Sequence, residues 1–307
     1  MKLTYWHNQV PNFGDELNTY LWPHLLPQGF LDEDDSSLFL GIGSIIWDFL
    51  PPDSHKYIIG SGYGGYTSPP NVHDGSWTPI FLRGPRTADT LGLSRDLAIC
   101  DSAILIRLLP RPQKTVQGGV GFLPHYDSLG RGYWREACQR AGLVFIDPTA
   151  EPDVTLGQIA GLDMLITEAM HGAIVADALR TPWLAARPTH SIHHAKWLDW
   201  SEALGIDLRW HDLMPSSVYE LYIGMTRGRR FYEGRARRWG QHAIMRPADR
   251  VLTERAARHL IRLAGEEPQL STDIKIERAT ERAKQALDNF VRSRTKLGNE
   301  SQQKVRP

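Results

Sequence analysis

Residues 163–186 read DMLITEAMHGAIVADALRTPWLAA, and this stretch decides the fold class. An apolar run at 164–167 gives way to a short polar turn, then to small apolar residues over 171–179, then to a second apolar run at 183–186. Runs without polar alternation suit strands buried on both faces, and the intervening segment is long enough for the crossover helix that parallel strands require. The unit is β–α–β. In such a unit the first helical turn lies beyond the carboxyl end of the first strand, where free backbone N–H groups and the helix dipole favour an anion. His171 falls in that turn. Gly172 beside it allows close approach to the backbone, and an imidazole, titrating near neutrality, can either transfer a proton or bind a phosphate. By position alone a capping or packed histidine would look the same.

The alternation continues outward. Candidate strands at 38–40, 57–59, 80–82, 97–100, 120–123 and 144–146 interleave with candidate helices at 15–26, 85–91, 133–141 and 197–204. Residues 109–117, LPRPQKTVQ, hold two prolines and no apolar period, which marks a linker. The expected architecture is therefore α/β, with one domain over 1–112, a second over 113–215 carrying the β–α–β unit, and a helical, basic extension over 216–307. An apolar stripe from Ile274 to Val291 is expected to cross back onto the first domain or to meet a partner.

Composition narrows the functional classes. The 307 residues are 41% apolar and 23% charged, enough for a packed core and unlike a disordered chain. Basic and acidic side chains balance at 35 each, which argues against a nucleic-acid-binding surface. Charge is nevertheless concentrated: 227–262 carries 11 arginines against Glu233, Asp249 and Glu254, a net +8. Cys100 and Cys138 are too few for a disulfide framework or a structural zinc site. The first residues lack the apolar run of a signal peptide, and no apolar stretch is long enough for a span, so a cytoplasmic location is expected.

Further candidates sit where strands are expected to end. In IFLRGPRTADTLGL (80–93) the apolar run stops at Arg83, and Pro85 takes the first helical position it favours. A guanidinium at a strand end suits phosphate or carboxylate, although a salt bridge tying down a loop is equally consistent with the position. NFGDELN (12–18) presents Asn12, a turn residue Gly14, and Asp15 as the expected helix N-cap. GIGS (41–44) places Gly43 and Ser44 after the strand at 38–40 in the same way. GSGYGG (60–65), including Gly62, matches a dinucleotide fingerprint in letters only. No helix follows it and no carboxylate stands about 20 residues on, so it is read as a glycine loop near a cleft and nicotinamide binding is rejected. Arg187 and Lys196 follow the last strand as anion contacts. His190, His193 and His194 lack a nearby carboxylate pattern and are read as polar residues beside a substrate channel, with no metal expected. Serine-hydrolase, P-loop and zincin motifs are absent.

Taken in order, NFGDELN, GIGSII (41–46), GSGYGG, LRGPRTADTLG (82–92), DSAIL (101–105), ITEAMHGAIVADAL (166–179) and HHAKWLDW (193–200) resemble the polysaccharide pyruvyl transferase family over about residues 8–205. The resemblance implies two Rossmann-like domains facing a cleft, as in GT-B glycosyltransferases. It also implies phosphoenolpyruvate as donor substrate with no other cofactor, and a pair of sugar hydroxyls as acceptor, joined in a pyruvate ketal. Arg83 would contact the donor, and His171 would correspond to the histidine of the family's Arg-Leu-His segment. This chain has Ala169-Met170-His171 there, so the arginine's charge must come from elsewhere, with Arg187 and Lys196 as the candidates. On that reading His171 is the general acid or phosphate ligand, Asp15 an acceptor contact or base, and Asn12, Gly14, Gly43, Ser44 and Gly62 line the acceptor side. The acceptor is expected on a polyprenyl diphosphate at the inner membrane face, with 227–262 resting on anionic headgroups or forming a solvated helix face. The alternatives are a nucleotide-sugar glycosyltransferase of GT-B type and a noncatalytic carbohydrate-binding or assembly subunit.

Overall fold

A computed structural model of the chain describes residues 1–188, 193–226 and 243–304. The decisive stretch folds as read: strands β7 (Met164–Thr167) and β8 (Trp183–Ala186) pair in parallel, joined by helix α6 (Met170–Leu179). The described strands form two sheets. The first runs in the order β1-β2-β3-β4, from β1 (Lys2–Thr4), β2 (Ser37–Leu40), β3 (His55–Ile59) and β4 (Trp77–Phe81), with every pair parallel. The second is β6-β5-β7-β8-β9, with β5 (Val120–Leu123), β6 (Val144–Phe145) and β9 (Trp210–His211), again parallel throughout. The fold is α/β.

Several expected elements differ in the structure. Residues 97–100 form no strand: a 3-10 turn, Arg95–Leu97, ends in one bridge between Leu82 and Ala98, and Asp101 then caps a 3-10 helix, Ser102–Leu108. A carboxylate that binds a backbone N–H two residues on starts a helical turn rather than extending a ladder. Helix α1 spans Phe13–Leu25, so its N-cap is Asn12 and not Asp15. The Asn12 side chain accepts from the Gly14 N–H, and Asp15 falls in the first turn. Strands β1 and β9, three and two residues long, the four-residue helix α3 (Tyr126–Leu129) and helix α5 (Pro152–Gly161) escaped the sequence reading because they are too short or too weakly periodic to signal themselves, whereas α4 (Trp134–Ala141) lies within the helix expected at 133–141.

The two sheets share one core. Helix α6 is buried from Met170 to Ala178, with no polar face to give to water. It packs on the 3-10 helix after β4, on α5 and on α1, so that Leu17 and Leu21 from the first half share one apolar cluster with Ile174 and Val175 from the second. Each such side chain contributes about 1.5–3 kcal/mol on burial, and together they hold the two sheets against each other. The C-terminal helix, Asp273–Lys304, returns to the first sheet, burying Ile276, Ala279, Ala283, Leu287 and Phe290. The Phe290 ring lies 5.0 Å from that of Tyr57 and 5.9 Å from that of Phe30. The helix Arg246–Leu263 instead packs on the second sheet through Ala256, Ala257, Leu260 and Leu263. Of the arginine-rich stretch, residues 227–242, with Phe231, Tyr232 and Trp239, lie outside the described residues, as does His190. Among the described residues no helix is long and apolar enough to cross a membrane.

Candidate active site

Parallel strands deliver their functional side chains at their carboxyl ends, and here the ends of both sheets meet. On the first sheet the loop after β2 turns at Gly43, whose φ of 127° favours glycine. The Gly43 carbonyl accepts from the Gly62 N–H at 3.0 Å, which ties the two glycine loops together. Arg83, just past β4, is fully buried. Its Nε donates to Asp199 Oδ2 at 2.9 Å, Nη1 to Ser44 Oγ at 2.7 Å and Nη2 to the Tyr63 carbonyl at 3.0 Å. A Cβ on Gly62 would overlap the guanidinium, so that glycine makes room for Arg83. Asp199 also accepts from the Thr87 N–H at 3.0 Å and the Thr87 hydroxyl at 2.7 Å, at the start of α2 (Pro85–Leu91).

Asp199 comes from the other sheet. It sits on α7 (His194–Ala203), which Trp197 and Trp200 anchor by packing against Trp183 of β8, while Trp197 also meets Trp210 of β9. Lys196 precedes Asp199 by three residues and so shares its face of the helix. The indoles set the roll of α7, and the roll sends a lysine and an aspartate toward the first sheet.

On the second sheet, Thr167 at the end of β7 holds the turn into α6. Its hydroxyl donates to the Leu123 carbonyl at 3.1 Å and accepts from the Ala169 N–H at 3.0 Å. His171 follows, its side chain 11% exposed, with Nε2 3.7 Å from Asp101 Oδ2. Gly14 lies against the opposite edge of the imidazole, where a Cβ would overlap Nδ1. The small residue that sequence assigned to substrate access therefore admits the histidine. Gly172 likewise fits against Thr167 and Leu123, so it serves the packing of α6 on its strand.

Asp15 and Lys196 are the groups whose ionisation this setting changes most plainly. Burial holds the Asp15 carboxyl above the ordinary carboxylate range, against the opposing pull of His171, the Asn12 amide and Lys196. The Asn12 amide donates to Asp15 Oδ2 at 2.7 Å. Lys196 is pushed down to about 8 by burial, opposed by the Asp15 carboxylate and reinforced by the Arg83 charge. Thus Asp15, Lys196, His171 and Arg83 occupy one neighbourhood. Arg187 does not join it: its Nε donates to Asp212 at 2.6 Å and its guanidinium lies over Trp210.

Sequence reasoning missed the aromatic rim. Tyr66 and Tyr126 are both pushed up to about 12, mainly by burial. The Tyr66 hydroxyl is 2.9 Å from His193 Nδ1, and the His193 ring stacks on His125 at 4.7 Å. Ligand atoms of His125, Asp127 and His193 lie within 4.8 Å of one another, so among the described residues this trio could hold a cation. Beyond β1 and β2, Trp6 is 47% and Phe49 61% exposed, and Trp47 packs against both. Three large rings at adjacent strand ends were legible as letters, but nothing in their spacing brings them together.

A family model described as polysaccharide pyruvyl transferase matches residues 3–188. The succinoglycan biosynthesis protein ExoV of Rhizobium meliloti (strain 1021) is 34% identical over 95% of this chain and 99% of its own length. No solved structure gives a significant match. The order of strand-end motifs, the parallel α/β architecture and these two likenesses agree: the chain belongs to the polysaccharide pyruvyl transferase family and is a pyruvyltransferase of exopolysaccharide biosynthesis.

Proposed function

We propose that the enzyme takes its pyruvyl group from phosphoenolpyruvate and that the crevice between the two sheet edges, the domains 1–112 and 113–215 arranged as in GT-B enzymes, is where transfer occurs. The observation that carries this reading is the convergence of His171 and Lys196 from the second sheet on Asp15 from the first. Phosphoenolpyruvate brings a carboxylate and a phosphate. Lys196 and the free N–H groups opening α6 supply complementary positive charge. Arg83, enclosed by Asp199 and Ser44, adds its field while holding the loops in register.

Ketal formation needs a proton at the enol methylene, a sugar oxygen at C2, loss of phosphate and a second sugar oxygen at the same carbon. One hydroxyl proton ends on the new methyl group and the other on the departing phosphate. His171 delivers the first proton and the Asp15 carboxylate, whose hold on a proton burial strengthens, accepts one from the acceptor. This chemistry calls on proton donors and cations that the side chains provide, with no resident cofactor. A chelator should therefore leave turnover unchanged, which also tests the His125 trio.

The exposed rings of Trp6 and Phe49, held together by the partly buried Trp47, offer flat apolar surface for sugar rings on the acceptor side. The acceptor is read as a polyprenyl-diphosphate-linked glycan, met at the cytoplasmic face of the membrane. The helix Arg246–Leu263 supports that reading, since Val251 and Ile261 are exposed among its arginines. Incubation with phosphoenolpyruvate and lipid-linked or synthetic oligosaccharides should release phosphate and add the mass of a pyruvate ketal. Stabilisation by nucleotide sugars and not by phosphoenolpyruvate would overturn the donor assignment.

A further inference from the structure

Two buried polar atoms face each other across the core side of the site. His171 Nε2 and Asp101 Oδ2 are 3.7 Å apart, and neither has a hydrogen-bond partner among the described residues. Asp101 itself is fully buried. Its other oxygen, Oδ1, accepts from the Ala103 N–H at 3.0 Å and caps the 3-10 helix Ser102–Leu108, which α6 packs against. A buried carboxylate oxygen without a donor is costly, so two such atoms aimed at each other are best explained as partners that close when Nε2 carries a hydrogen.

We propose that Asp101 is the positioning residue for His171: it accepts the Nε2–H, fixes the tautomer and supports the imidazolium, leaving Nδ1 as the nitrogen that exchanges its proton with substrate. This deepens the reading of His171 as the acid and rests on it. The geometry assigns the two edges of the ring to different tasks. Nε2 faces the rigid 3-10 cap, while Nδ1 lies against Gly14, at the amino end of α1 and next to Asp15. The charged groups around the ring are Asp101 from the 3-10 helix, Asp15 from α1 and, through both carboxylates, Lys196 from α7. A neutral imidazole whose tautomer is set by a carboxylate on one nitrogen presents its lone pair at the other. The proton taken up there is the one given to the enol methylene.

Asp101→Asn separates this role from capping, because an asparagine Oδ1 still accepts from Ala103 while the charge is lost and an N–H now faces Nε2. Three observations on the full chain decide the matter. Histidine-selective 15N spectra should show the Nε2–H form of neutral His171 in the wild type and the Nδ1–H form in Asp101→Asn. The variant should lose about 100-fold in kcat with the KM for phosphoenolpyruvate within threefold and an unchanged melting temperature. The limb of its rate profile that reports the protonated imidazole should move to lower pH. A wild-type Nδ1–H tautomer, or a variant with full kcat alongside an inactive His171→Ala, overturns the proposal and leaves His171 as the acid. Full turnover in His171→Ala overturns both.

Discussion

The corner around Arg83 and the corner around His171 stand at the ends of strands in opposite sheets and were singled out from the same kind of sequence evidence, yet they are built in opposite ways. Arg83 is held at every nitrogen: a carboxylate, a hydroxyl and a carbonyl each accept from one of the three, and no surface is open. His171 is left wanting, with an unpartnered nitrogen, an unpartnered carboxylate opposite and two neighbours whose ionisation burial has shifted. A charge bonded at each of its nitrogens locks a structure, whereas a charge held in readiness can respond to a ligand.

The sharpest test of this contrast is His171→Ala, expected to cut kcat by about 1,000-fold in an assay of phosphate release, while urea unfolding stays near wild type. Asp199→Ala should do the reverse. It strands a buried guanidinium, so unfolding should come about 3–5 kcal/mol easier; a stable Asp199→Ala protein would break the distinction between lock and tool.

Lys196 lies between the two cases. Lys196→Met should weaken turnover by about 100-fold while raising stability by about 1–3 kcal/mol at pH 7, because the folded chain no longer buries a cation. The sign follows from linkage. The lysine gives up its proton near 8 when folded and near 10.5 when unfolded, so between those values the unfolded chain binds more protons, and wild-type stability relative to the variant should rise with pH. Over the same window the site loses its cation, and the wild-type KM for phosphoenolpyruvate should climb above pH 8. Lys196→Arg, charged throughout, should keep a flat KM between pH 7 and 9.

Smaller effects probe the margins. Trp6→Ala should raise the acceptor KM about fivefold and leave the donor KM alone. Arg187→Ala, removing an exposed pair with Asp212, should change stability by less than about 0.5 kcal/mol and donor KM by less than twofold; a large donor effect would move the cation from Lys196 to Arg187.

Much of this frame was legible in the chain. The strands at 120–123, 164–167 and 183–186 and the helix at 85–91 appear with the bounds that their apolar runs and Pro85 imply, because fully buried parallel strands leave an uninterrupted signal. The stripe at 274–291 did cross back onto the first sheet, one of the two outcomes it allowed. The strand expected at 97–100 failed because a capping aspartate outweighed four apolar letters. Asp101 and Asp199 both sat inside recognised motifs, yet neither stood out, since no spacing rule says that a carboxylate 70 residues upstream will face His171, or that one 116 residues downstream will clamp Arg83.

Sequence by itself determined the parallel α/β class, the family and the positions where side chains emerge from strand ends, because periodicity and turn chemistry act over a few residues. Only the tertiary structure decided which of those side chains are already satisfied. That depends on what the second sheet brings to the strand ends of the first, on glycines whose missing Cβ admits a guanidinium or an imidazole, and on how far burial shifts a charge; all three are set by packing between segments far apart in the chain.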